Sequence, residues 1–128
     1  FAVPTQTRVE FVDVTAEVQR ALRAEGVTEG LCHVFVPHTT AGLIINENAD
    51  PTIQSDMLGE LDKIVPWENH YQHAEGNSAA HIKSSMVGQS QFVFVSGGKL
   101  KLGIWQGIYL AEFDGPRTRR LWVNVIES

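Results

Sequence analysis

The chain has 128 residues, of which 43% are hydrophobic, and a formal net charge of -5. This length fits one domain, residues 1–128, and leaves no room for a second. The acidic balance disfavours nucleic acid as a partner. The chain has no run of about 18 apolar residues, which excludes a membrane-spanning helix, and its single cysteine, Cys32, excludes an internal disulfide. We therefore expect a cytoplasmic protein that does not bind membranes.

The first part of the chain predicts strands around one short helix. Alternation with β-branched residues predicts a strand over 7–14. A helix follows over 16–25, with Thr15 as its N-cap. Two more strands, 31–38 and 42–46, come next, which places the residues between them at strand ends.

The middle of the chain predicts two helices separated by an irregular loop. Asp50 is an acidic N-cap and Pro51 suits the first helical position. The helix that follows has an apolar stripe at helical spacing and covers a sheet. Residues 66–77 show no helical or strand periodicity in their apolar residues. A compact domain usually keeps such a long loop for function. Ser78 then caps a short helix that extends through Val87.

The last third of the chain is almost entirely strand. The predicted strands are 91–96, 99–102, 104–113 and 119–127, with turn signals between them. Together with the earlier elements they indicate an α+β fold of about seven strands and three helices.

Three of the five histidines are candidate metal ligands. His38, His73 and His81 lie on separate elements, and three imidazoles that leave one position open are typical of catalytic zinc sites. Their spacing forms no compact motif. His33, inside a strand, and His70, in the loop, are better explained as ordinary polar residues.

Hydroxyl and cationic side chains suggest an anion site. The hydroxyls are Thr39, Thr40, Ser84 and Ser85, and the cations are Lys83, Arg117 and Arg119. These residue types hold phosphate, and arginine does so through a planar fork. Helical phase places His81 and Ser85 on one face of the third helix and Ser84 on another. Glu47, just past an apolar strand, is the better candidate for a general base because Asp50 already caps a helix.

Five segments resemble the YjbQ family, in the same order and over nearly the whole chain. They are the run 38–51, the pair Tyr71-x-His73, the segment 80–85, the block 102–108 and the stretch 112–119. Motifs of this length are far more specific than a lone histidine.

The resemblance implies a seven-stranded β-sandwich with flanking helices, assembled as a homotrimer with its sheets packed around the threefold axis. It also implies a thiamine-phosphate-synthase-like activity, which joins a pyrimidine pyrophosphate to a thiazole phosphate and releases pyrophosphate. The residues that match the family's site are the histidine cluster with Glu47 and a surrounding polar set. The cluster is His38, His73 and His81, and the surrounding set is Asn46, Lys83, Ser84, Ser85, Arg117 and Arg119.

Two other functions stay open beside this transferase. One is a metal-dependent hydrolase of a phosphorylated small molecule, with Glu47 as base. The other is a non-enzymatic trimeric binder of a metal or an anionic metabolite. Three imidazoles favour Zn²⁺, whereas Mg²⁺ prefers oxygen ligands, so the identity of a divalent metal would separate these functions.

Overall fold

The computed structural model describes residues 1–128 and contains nine strands and three helices. In chain order these are β1 (Ala2–Pro4), β2 (Glu10–Asp13), α1 (Thr15–Glu25), β3 (Glu29–Phe35), β4 (Ala41–Glu47), α2 (Pro51–Ile64), α3 (Ser78–Val87), β5 (Ser90–Ser96), β6 (Lys99–Leu100), β7 (Gln106–Glu112), β8 (Thr118–Arg120) and β9 (Trp122–Glu127). The predicted α+β class is confirmed. No helix has the length and apolar content needed to cross a bilayer.

The strands form three antiparallel sheets. β1 pairs with β8, the order of the second sheet is β2-β7-β4, and the order of the third is β6-β5-β3-β9. The neighbouring strands β3 and β4 therefore belong to different sheets. Residues 36–40 carry the chain from one sheet to the other.

The structure has nine strands where the sequence predicts about seven. β1 is the added strand, and the predicted strand over 119–127 is divided at Leu121 into β8 and β9. Leu121 is fully buried, and its amide donates to the carbonyl of Phe1 at 2.9 Å. The chain changes partner at this residue, from β1 to β3, because the two strands belong to different sheets.

The helices begin and end close to their predicted bounds. The Asp50 carboxylate accepts a hydrogen bond from the Thr52 amide, and Pro51 is the first residue of α2, as predicted. Two predicted N-caps are wrong by one residue. Val14 precedes α1 and Asn77 precedes α3, while Thr15 and Ser78 are already helical. The Thr15 hydroxyl instead donates a hydrogen bond to the Asp13 carboxylate and accepts one from the Ile108 amide.

Two hydrophobic clusters lie on either side of the β2-β7-β4 sheet. The larger one packs α1 between this sheet and the β6-β5-β3-β9 sheet, and includes Val18, Leu22 and Cys32. The smaller one is formed by Phe11, Tyr109 and Phe113 with the inner sides of α2 and α3. Because both faces of β7 are covered, six of its seven residues are buried.

Candidate functional site

A polar cleft of about 720 Å³ opens where the β3–β4 connection, α3 and the residues around β8 meet. It is lined by Phe35, Val36, Pro37, His38, Thr39, Thr40, His81, Ser85, Gln89, Arg117 and Arg119. Seven of the predicted site residues therefore share one cleft: His38, Thr39, Thr40, His81, Ser85, Arg117 and Arg119. The predicted helical phase is confirmed, since His81 and Ser85 both face this space.

α3 is held against the start of β4 by contacts that fix its rotation. The buried Ser84 hydroxyl donates to the Ala41 carbonyl at 2.7 Å, and the Leu43 amide donates to the Gly88 carbonyl at 2.9 Å. A β-carbon at Gly42 would lie 2.5 Å from both the Gly88 oxygen and a Val87 methyl carbon. Only glycine allows this approach, which directs the opposite face of α3 towards the cleft.

Arg119 is the most firmly held cation of the cleft. Its side chain is 3% exposed, and its Nε donates to Glu112 Oε1 at 2.8 Å. Its Nη2 bonds Glu112 Oε2, the Thr40 carbonyl and the Thr40 hydroxyl. These bonds leave Nη1 as the guanidinium nitrogen without a protein partner, and Arg119 is one of the residues that line the cleft. A guanidinium with one free nitrogen and a fixed orientation is suited to binding an oxyanion.

Arg117 is a second cation at the mouth of the cleft, and its side chain is 50% exposed. It donates from Nη2 to the Asp114 carboxylate at 3.1 Å and from Nε to the Asp114 carbonyl at 2.9 Å. The Asp114 carboxylate also accepts from Asn77 at 2.8 Å. Because Arg117 is solvated, it can turn towards a bound anion at low cost.

His38 is held in a neutral form by its surroundings. Its Nε2 accepts a hydrogen bond from the Arg120 amide at 2.8 Å, which requires a lone pair on that nitrogen. Burial and the positive charges of Arg119 and Arg117 lower the pKa of His38, against an opposing effect of the Glu112 carboxylate. The ring proton therefore lies on Nδ1, which makes His38 a hydrogen-bond donor to a ligand.

The other two predicted metal ligands lie together. The His73 and His81 rings meet edge to face, with centroids 5.3 Å apart. His81 lines the cleft, whereas His73 lines a smaller pocket of about 290 Å³ formed by the 67–76 loop. No three His, Cys, Asp or Glu side chains are grouped closely enough to hold a metal ion. The Arg120 bond leaves His38 only Nδ1 as a possible ligand atom, so the three-histidine metal site stays a prediction.

Two predicted binding residues on α3 lie away from the cleft. Ser84 is buried against β4, as described above. Lys83 is also buried, and its ammonium lies 3.8 Å from the Asp62 carboxylate on α2. Burial lowers the pKa of Lys83, although Asp62 acts in the opposite direction. Lys83 therefore joins α3 to α2, and the structure does not bring it to the cleft.

Asn46 and Glu47 lie at the opposite end of β4 from the cleft. Ala41 and Glu47 are the two ends of β4, six residue steps apart, which corresponds to about 20 Å. Asn46 lies close to Met57, with Nδ2 3.4 Å from the sulfur, and the Glu47 carbonyl accepts from the Tyr109 hydroxyl. Trp105, predicted to be within a strand, is in the exposed turn at this same end. Within one chain, Glu47 is not a base for chemistry beside His38.

Three residues of the site were not singled out from the sequence. Gln89 lines the cleft, and Glu112 and Thr5 hold Arg119 and Arg117 from behind. A signal for Glu112 was present, because it ends the apolar run 108–111. An acid at the end of a strand that is buried on both faces requires a buried cationic partner.

The comparisons with known proteins agree on one family. The family model described as UPF0047 protein YjbQ-like matches residues 1–128. The UPF0047 protein YugU of Bacillus subtilis (strain 168) is 51% identical over 125 residues, 97% of this chain and 95% of the relative. An uncharacterized conserved YjbQ/UPF0047 protein from Clostridium acetobutylicum has a solved structure that is 51% identical, with a TM-score of 0.96 and 98% of each chain covered.

The fold persists in more distant relatives. A YbjQ-like protein of unknown function from Sulfolobus solfataricus P2 is 30% identical, with a TM-score of 0.95 over 100% of this chain and 94% of that one. The resemblance seen in the sequence motifs is confirmed by these matches. The chain belongs to the UPF0047 family of YjbQ-like proteins.

Proposed function

We propose that the cleft binds a small phosphorylated metabolite and that the protein is a weak or secondary transferase of the thiamine-phosphate-synthase type. The observation that carries this proposal is the Arg119 guanidinium, which lines the cleft, is fixed by Glu112 and Thr40, and keeps Nη1 without a protein partner. Arg117 adds a mobile cation, and His38, Thr39 and Ser85 add neutral donors. This set of donors fits phosphate or diphosphate oxygens.

The proposed reaction requires stabilisation of a leaving diphosphate. The bond between the methylene carbon of the pyrimidine and a diphosphate oxygen breaks, and a bond forms between that carbon and the thiazole nitrogen. Negative charge grows on the diphosphate during this step. Arg119 and Arg117 are placed to stabilise that charge, and fixed donors are most effective because they need no reorganisation. The neutral His38 ring donates through Nδ1, and His81 faces the same space.

The experiment for this proposal measures turnover with both thiamine precursors, using the release of diphosphate as the signal. We expect slow release that requires both precursors and falls by about a hundredfold in Arg119→Gln, since loss of one oriented donor costs this order of rate. Arg20→Gln is the matched control, because the exposed Arg20 on α1 bonds only Glu17 and lies outside the cleft. Activity that is unchanged in both Arg119→Gln and His38→Ala would reject the cleft as the site.

A metal-dependent hydrolase is the second candidate, and the His73–His81 contact favours it. Two adjacent imidazoles are a common part of a zinc site. His38 Nδ1 would be the third donor only after a movement of the site, since the three rings are not grouped closely enough here to hold a metal ion. Bound zinc would supply an activated water for attack on a phosphate ester. The test is to measure the zinc content of the purified wild-type protein, of His81→Ala and of the control variant His70→Ala. Zinc that is retained in His81→Ala removes His81 from the ligand set.

We also propose a homotrimer in which the outer face of the β6-β5-β3-β9 sheet is covered by neighbouring copies. Four large apolar side chains on this face are 48–68% exposed: Phe92, Phe94, Trp122 and Ile126. No helix of the chain packs on them. Contiguous apolar surface of this kind is typical of a protein interface. Asn124, which lies between Trp122 and Ile126 on β9, carries no charge.

A further inference from the structure

The carboxylate of Glu112 lies directly behind the cleft and is fully buried. It receives four hydrogen bonds, two of them from Arg119. The other two come from the Thr5 hydroxyl to Oε1 at 2.8 Å and from the Asp114 amide to Oε2 at 3.0 Å. Both oxygens of this carboxylate are therefore used by Arg119 and by the Thr5 and Asp114 segments behind it.

Thr5 links Glu112 to the second cation of the cleft. Its hydroxyl lies 2.9 Å from the Arg117 carbonyl and also accepts from the Arg117 amide at 2.9 Å. A β-carbon at Gly115 would lie 2.9 Å from both Glu112 Cγ and the Thr5 hydroxyl oxygen. The turn before Arg117 thus comes so close to this network that only glycine fits there.

We propose that Glu112 is a positioning residue for anion binding, because it holds the Arg119 guanidinium in the one orientation that presents Nη1 to the cleft. This inference rests on the proposed function. Without the carboxylate, Arg119 keeps only its Nη2 bonds to Thr40, and its plane is free to rotate about them. Glu112 does not touch the ligand and acts through Arg119.

A double-mutant cycle on pyrophosphate binding tests the inference. The variants are Glu112→Gln, Arg119→Gln and the double variant, measured by calorimetry with inorganic pyrophosphate. We expect Glu112→Gln to raise the dissociation constant about tenfold. The double variant is expected to bind within about twofold of Arg119→Gln alone, since residues that act through one another are not additive. A purely structural role would give two independent effects that multiply.

Glu10→Gln is the matched control. Glu10 is paired directly opposite Glu112 in the β2–β7 register, but its carboxylate accepts only from the backbone amides of Gln6 and Thr7. We expect its pyrophosphate affinity to stay within about twofold of the wild type. If Glu112→Gln does not fold, Glu112→Asp replaces it, because it keeps the charge and shortens the side chain that makes both bonds to Arg119. An increase of about threefold in the dissociation constant is then expected.

Two outcomes contradict the inference and are distinct from failure of the proposed function. Unchanged affinity in the folded Glu112→Gln or Glu112→Asp variant, together with weak binding by Arg119→Gln, overturns the positioning role and leaves the anion cleft intact. Multiplied effects in the double variant overturn it in the same way. Wild-type protein that binds no pyrophosphate, or Arg119→Gln that binds as wild type, contradicts the proposed function and this inference with it.

Discussion

The imidazole of His38 accepts a hydrogen bond from the backbone amide of Arg120, with 2.8 Å between Nε2 and the amide nitrogen. This bond joins the β3–β4 connection to the end of β8 and determines which ring nitrogen faces the ligand. An acceptor Nε2 leaves the proton on Nδ1. The chemical role of His38 in the cleft follows from this choice of tautomer.

We expect ¹H–¹⁵N NMR spectra of the imidazoles to show His38 with its proton on Nδ1. The pKa of His38 should lie below the ordinary value of 6.5, because burial and the two arginines oppose protonation. A group whose pKa is lowered on folding in this way contributes stability that is complete above pH 6.5 and declines as the pH falls. A proton on Nε2, or a pKa above 6.5, would contradict the assigned hydrogen bond.

Gly42→Ala should disturb both the fold and the cleft. The added β-carbon would overlap the Gly88 carbonyl and Val87, so α3 must move away from β4. We expect a loss of about 1–3 kcal/mol in the free energy of unfolding, measured with urea, and weaker pyrophosphate binding.

The control for this change is Gly59→Ala, where a β-carbon on α2 meets no atom within 4 Å. Because alanine is the better helix former, stability should rise by about 0.5–1 kcal/mol. Equal stability of Gly42→Ala and the wild type would show that α3 is not packed as described.

The buried Glu112–Arg119 pair should make the free energy of unfolding depend on pH in the acidic range. Burial alone would raise the pKa of Glu112, but the bonds from Arg119, Asp114 and Thr5 and the charge of Arg119 outweigh it and lower the pKa. Stability from this pair is therefore complete above the ordinary value of 4.5 and is lost as the pH falls through the lowered value.

Glu112→Gln isolates this contribution. At neutral pH the variant should be less stable by about 3 kcal/mol, because it leaves a buried guanidinium without its anion. The difference from the wild type should shrink as the pH falls well below 4.5. Urea unfolding at several pH values measures it, and a difference that is independent of pH would argue against an ionised Glu112.

Phe94→Glu should dissociate the proposed trimer. Phe94 is 68% exposed at the centre of the apolar sheet face, and a charge there cannot be buried without a partner. Light scattering should give three times the chain mass of 14.2 kDa for the wild type and one chain for the variant. Ile64→Glu is the control, because Ile64 is 59% exposed at the end of α2, outside that face. A monomeric wild type would contradict the trimer.

Local signals in the sequence were sufficient for the elements but not for their pairing. Asp50 and Pro51 mark the start of α2, and the four-residue spacing of His81 and Ser85 places both in the cleft. The partners of β3 could not be predicted in this way. They are β5 and β9, about 60 to 95 residues further along the chain, and no local pattern specifies pairing over such separations.

The same distinction between local signals and long-range packing applies to the residues of the site. His38, Arg117 and Arg119 were predicted because their side chains carry recognisable chemistry. Glu112 was not singled out, because an acid at a strand end is usually solvated, and its burial becomes apparent only when both faces of β7 are covered. Lys83 has the chemistry of a phosphate ligand, but its position on α3 directs it to Asp62.

A crystal structure of the protein soaked with inorganic pyrophosphate tests the central claim, that this cleft binds phosphate groups, most directly. We expect phosphate oxygens within about 3 Å of Arg119 Nη1. Further contacts to Ser85 and His38 Nδ1 are expected, together with a turn of Arg117 towards the anion. Pyrophosphate bound only elsewhere, or an empty cleft at a concentration that saturates binding in solution, would contradict the account.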